Sequence, residues 1–75
     1  MDYILFKQIR LTLDLNQSQF GKLLGVSRSY VSMMETNRRI IPEDIAKTVK
    51  QKVDSDLIIQ IEELLNAKLS LSGQK

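Results

Sequence analysis

The chain has 75 residues, enough for one domain, with 43% hydrophobic and 27% charged residues and a formal net charge of +2. It contains neither Cys nor His, which removes disulfides, thiolate metal sites, the commonest general base and the commonest neutral metal ligand. No segment approaches the roughly 20 apolar residues that a membrane span needs, and the acidic start, Met1-Asp2-Tyr3, is unlike a basic secretion leader.

Taken in chain order, the sequence predicts five helices and no strand. The first runs from about Tyr3 to Leu13, because Phe6, Ile9, Arg10 and Leu13 recur at three- and four-residue spacing and share a face. Asp14 ends it. Asn16 caps the second helix, and Gln19 three residues on completes a capping-box pattern. Phe20, Leu23 and Leu24 form its apolar stripe, and Gly25 stops it, since a left-handed turn costs glycine little. Ser27 caps the third helix, which reaches roughly Glu35 with Val31 and Met34 facing inward. Thr36-Asn37-Arg38-Arg39 then reads as a polar, basic loop. Pro42 opens the fourth helix, where its missing N–H is not needed, and Glu43 and Asp44 sit near the positive end of the helix dipole. Ile45, Val49 and Val53 line the inner face. Asp54 caps a fifth helix expected to end near Lys68, with Val53 and Ile58 at staple spacing and residues 70–75 fraying.

The informative stretch is residues 17–36, QSQFGKLLGVSRSYVSMMET. Two helices joined by a tight turn need a residue tolerant of positive φ, and Gly25 supplies it. Gly21 lies where the two helices cross. A glycine inside a helix costs about 1 kcal/mol against Ala, which suggests a packing reason for it. Phe20, Leu24, Val26, Val31 and Met34 supply apolar residues toward the core.

This conjunction resembles the helix-turn-helix of the phage repressor and Cro-type (XRE-like) family, over roughly residues 3–60. The small residue at Gly21, the turn at Gly25, Leu15-Asn16-Gln17 at the start and Glu35 at the end of the third helix all fall at that family's spacing. The resemblance implies that Arg10 pairs with Glu35 as a structural ion pair, outside any DNA contact. Asp14 and Asn37 depart from the pattern, standing where the family often has Gly; both residue types tolerate left-handed geometry, so slight strain is expected rather than another fold.

In such motifs the second helix of the pair lies in the major groove with its N-terminal side chains at base edges. That implies base contacts from Arg28, Ser29, Ser32 and Met33, with Arg28 the main source of specificity through guanine O6 and N7. Phosphate contacts are expected from Gln17, Ser27, Thr36, Asn37, Arg38 and Arg39. Two of these readings stay open: Gln17 as a plain helix-start residue, and Arg38 with Arg39 as a solvated loop. Tyr30 either reaches a phosphate or props the helix. The charge distribution favours a polyanion on this part of the chain: residues 1–53 hold nine Lys or Arg against five Asp or Glu, residues 54–75 two against four.

The fifth helix carries more apolar surface than one stripe needs, which often marks an interface. Leu57, Ile58, Ile61 and Leu65 are expected to meet a second copy, the alternative being that they complete the core. The expectation is thus an all-α, single-domain, cytoplasmic and nucleoid-associated repressor that binds palindromic double-stranded DNA as a homodimer. It needs no cofactor, metal, small-molecule ligand or membrane. The competing reading is a protein-interaction module, such as an antitoxin or anti-repressor partner. An enzyme is not expected, because Glu62 and Glu63 diverge on one helix and no paired carboxylates face a cleft.

Overall fold

A computed structural model describes the backbone of residues 1–73 and the side chains of residues 1–67. It contains α1 (Tyr3–Thr12), α2 (Gln17–Leu24), α3 (Arg28–Glu35), α4 (Glu43–Lys52) and α5 (Ser55–Gly73), with no strand among the described residues. None of these helices is long and apolar enough to cross a membrane.

The helix ends follow from local chemistry. Asp2, read from sequence only as an acidic residue, caps α1 by accepting from the Ile4 N–H at 2.6 Å. Asn16 caps α2 in a reciprocal capping box: its side chain accepts from Gln19 N at 2.8 Å, and Gln19 Oε1 accepts from Asn16 N at 2.9 Å. Leu13 is the C-cap of α1 rather than its last helical residue. Pro42 likewise stands one place before the first residue of α4, at φ −60°. Acids in the first turn of α4 (Glu43, Asp44) and lysines in its last (Lys50, Lys52) both suit the helix dipole. Asp54 caps α5 through Asp56 N at 3.0 Å. That helix continues to Gly73, past the expected end near Lys68, because residues 55–72 are without Gly or Pro and rich in good helix formers. Of the segment expected to fray, residues 70–73 are helical; residues 74 and 75 lie outside the described residues.

The core is built where α1, α2, α3 and α4 converge. Phe6, Ile9, Phe20, Val31, Met34 and Val49 are its largest fully buried side chains. Each such side chain stabilises the fold by about 1.5–3 kcal/mol relative to exposure. Phe6 of α1 meets Phe20 of α2 at a ring-centroid distance of 5.1 Å and a tilted 52°, within the favourable range for an aromatic pair. α1 also packs on α3 and α5, and α2 on α3 and α4.

The packing of α5 favours the alternative reading of its apolar residues, completion of the core. Ile58 and Ile61 are buried in the protomer's own core, and Leu57 and Leu65 are partly buried against it. Residues 58, 61 and 65 form one helical stripe, and the hydrophobic effect turns that stripe onto α1. Among the described side chains, the large apolar ones that remain in solvent on α5 are instead Ile59 and Leu64, at 51% and 69% exposure.

Candidate nucleic-acid interface

The α2–turn–α3 unit is held by a close approach that only glycine allows. A Cβ on Gly21 would stand 2.6 Å from the carbonyl oxygen of Val26. Gly21's own carbonyl accepts from Val26 N at 2.9 Å. Gly25 turns the chain at φ 77°. The helix-interior cost of Gly21 is therefore the condition for the turn to fold back on α2.

Beyond the turn, Ser27 caps α3, its hydroxyl oxygen accepting from Tyr30 N at 3.1 Å. The hydroxyl proton stays available to a phosphate. Helical periodicity then divides α3: Val31 and Met34 are fully buried, while Arg28 and Ser29 are exposed. Ser32 and Met33 are half-buried on the same side as Arg28 and Ser29, since positions i, i+1, i+4 and i+5 fall within one arc. The four side chains expected at base edges thus share one face.

The other end of α3 is tied down. Glu35 is buried and receives Arg10 through two bonds, Nε to Oε2 at 2.6 Å and Nη2 to Oε1 at 3.0 Å. Arg10 also donates from Nη1 to the Leu15 carbonyl at 2.8 Å. The pair implied by the family resemblance is present, and it bridges α1, the α1–α2 connection and the end of α3. A half-buried Gln17 joins it by donating from Nε2 to Glu35 Oε1 at 3.2 Å. The amide expected at a phosphate thus spends one of its two N–H donors on the ion pair, and the first-turn backbone N–H groups of α2 lack intrahelical acceptors.

The basic loop is also organised from α3. The N–H groups of Arg38 and Arg39 both donate to the Met33 carbonyl, at 2.9 and 3.2 Å. Asn37 holds the left-handed geometry at φ 61°, and Asp14 does so after α1 at φ 57°; both non-glycine departures are accommodated as expected. Asn37, Arg38 and Arg39 are exposed. Thr36 is exposed too, but its hydroxyl donates to the Ser32 carbonyl at 2.9 Å. Its only proton is committed inside the protein, so Thr36 is a poor phosphate donor. Arg39 lies over the ring of Tyr30, its Cζ 5.8 Å from the centroid. Tyr30 is half-buried and packs on the core, which agrees with its reading as a prop for the helix. The Gln17–Glu35 bond and the Tyr30–Arg39 stack were not legible in the sequence: each joins residues far apart in the chain, and no periodicity signals either.

A helix-turn-helix family model matches residues 6–49, more than half of the chain, from Phe6 of α1 through the turn and the basic loop to Val49 of α4. No curated protein and no solved structure gives a significant match. With the glycine-permitted turn, the anchored ion pair and the exposed face of α3, this match establishes that the chain belongs to the XRE-type helix-turn-helix family of phage-repressor and Cro-like DNA-binding regulators.

Proposed function

We propose that the protein is a sequence-specific transcriptional repressor that reads the major groove with α3 and binds a two-fold operator as a homodimer. The observation that carries this reading is the division of α3, with Arg28 and Ser29 free in solvent within two turns of fully buried Val31 and Met34. Arg28 offers the planar fork that matches guanine O6 and N7, a contact with about 1–3 kcal/mol of discrimination. Ser29 and Ser32 exchange hydrogen bonds with base edges less selectively, and Met33 packs on a thymine methyl. Ser27, Asn37, Arg38, Arg39 and the backbone at Gln17 fix the register on the phosphates. Two copies present two such helices to half-sites about 34–36 Å apart. Ile59 and Leu64, exposed on α5, are the apolar side chains offered to the second copy. Repression follows from occupying the site and excluding other proteins from it.

Selection of bound duplexes from a random pool tests the reading. The expected outcome is a palindromic consensus, with guanine at the position facing Arg28. Arg28→Glu should abolish preference for that consensus and leave the helical content unchanged; binding equal to that of the parent would remove α3 from the groove. The exposure of Ile59 and Leu64 also favours a second reading, a module that binds a protein through α5. The two are separated by duplex retardation at low and high salt, because a pure protein binder shows no salt-dependent retardation.

A further inference from the structure

We infer that Tyr30 is a positioning residue for Arg39, holding its guanidinium ready for the sugar-phosphate backbone beside the start of α3. The inference rests on the DNA-binding reading above and adds to it a role for a side chain that does not itself reach DNA. Four observations carry it. Tyr30 is packed against the core, so its ring is a fixed platform. The backbone of Arg39 is fixed as well, since its N–H and that of Arg38 share the Met33 carbonyl. Between these two anchors, Arg39 Cζ stands 5.8 Å from the ring centroid, within the roughly 6 Å over which a cation is drawn to an aromatic face. Finally, Arg39 shares a shallow hollow with Asp2, yet the ion pair found among the described residues is Arg10–Glu35 and not Arg39–Asp2. Asp2 uses one carboxylate oxygen, Oδ1, in capping α1.

Stacking and phosphate binding use different parts of the guanidinium. With Cζ over the ring at 5.8 Å, the aromatic face attracts the guanidinium's charge without consuming any of its N–H donors, which lie in the guanidinium plane. One arginine can therefore do both at once, donating bidentately to a phosphate while stacked. A free arginine on an exposed loop loses rotamer freedom when it binds. On Tyr30 that freedom is already reduced in the unbound protein, so ordering the side chain costs binding less. The same stack links the loop to the first turn of α3, so phosphate register and groove register are set by one residue.

The test is a double-mutant cycle with the full chain and a short random-sequence duplex, read as affinity over a range of salt concentrations. Arg39→Gln should weaken binding and lower the slope of log affinity against log salt by about 0.9 for each phosphate no longer neutralised. Tyr30→Leu should weaken binding about two- to fivefold in the parent and leave the Arg39→Gln protein unchanged. Tyr30→Phe and Tyr30→Trp, which keep a ring face, should bind like the parent. Three results would overturn the proposal: an equal loss from Tyr30→Leu with or without Arg39, a gain in affinity from Tyr30→Leu, or a Tyr30→Phe protein as weak as Tyr30→Leu. The stack is also readable without any risk to folding. In the parent, ring shielding should move the Arg39 side-chain proton resonances upfield, and unshielded resonances would equally overturn it. Absence of any salt-dependent duplex binding by the parent would instead defeat the DNA-binding reading, and the proposal with it.

Discussion

The two ends of α3 are treated in opposite ways. At its C-terminal end Glu35 is buried and bound to Arg10 and Gln17, and Arg10 reaches on to the Leu15 carbonyl. At its N-terminal end Arg28 and Ser29 are exposed, and among the described residues neither side chain is hydrogen-bonded to the protein. One helix eight residues long is thus clamped by a desolvated ionic network at one end and left free at the other. The contrast teaches how a domain this small presents a reading head: rigidity comes from polar bonds placed away from the surface that must stay available.

The sharpest way to break the comparison is to remove one charge at the clamped end. Glu35→Ala leaves the Arg10 guanidinium buried without its partner and should cost about 3–5 kcal/mol of stability, read by denaturant unfolding. Replacing both, as Arg10→Met with Glu35→Leu, should recover most of that loss, because the penalty belongs to the orphaned charge rather than to the absent pair. A loss under about 1 kcal/mol from Glu35→Ala would mean that the end of α3 is not held this way.

Gly21→Ala attacks the crossing of α2 and α3. The added Cβ meets backbone at 2.6 Å, which cannot swing aside as a side-chain tip would. The clash should outweigh the helix-propensity gain of about 1 kcal/mol and destabilise by about 1–3 kcal/mol. A Gly21→Ala protein as stable as the parent would show that α2 and α3 can separate without cost. At the free end the expectation reverses. Arg28→Gln should leave stability within about 0.5 kcal/mol of the parent, while discrimination against the wrong base falls by about 1–3 kcal/mol. The smallest effect is expected where α3 passes into the basic loop. Asn37→Ala keeps the Cβ at φ 61° but removes the short polar side chain that eases this geometry, and should cost about 1 kcal/mol, whereas Asn37→Gly should be tolerated. Thermal unfolding of the two variants side by side checks the difference.

Much of this architecture was legible in the residues. Caps at Asn16, Ser27 and Asp54, the stop at Gly25 and the inward pair Val31 and Met34 depend on neighbours within four positions, so local patterns suffice to read them. Asp14 and Asn37 fall in left-handed turns for the same reason, their short polar side chains tolerating that geometry. The shared outer face of Arg28, Ser29, Ser32 and Met33 follows once the two fully buried residues of α3 are known.

Other features were decided only when the helices met. Gln17 reads as a surface amide at a helix start, yet it bonds Glu35 eighteen residues away; nothing near it in the chain specifies that partner. Ile58 and Ile61 look like surplus apolar surface, and which stripe of α5 turns inward depends on the shape of α1 rather than on α5 itself. Thr36 and Arg39 are ordinary loop residues in sequence, and their roles come from the carbonyl and the ring that α3 brings beneath them. Residue type and short-range periodicity by themselves determined the helices, their ends and the face that looks outward, because capping and amphipathic burial act within about one or two turns. The partners of the buried and half-buried polar groups were left to the tertiary structure, because a desolvated donor must find whichever acceptor the packed helices place beside it.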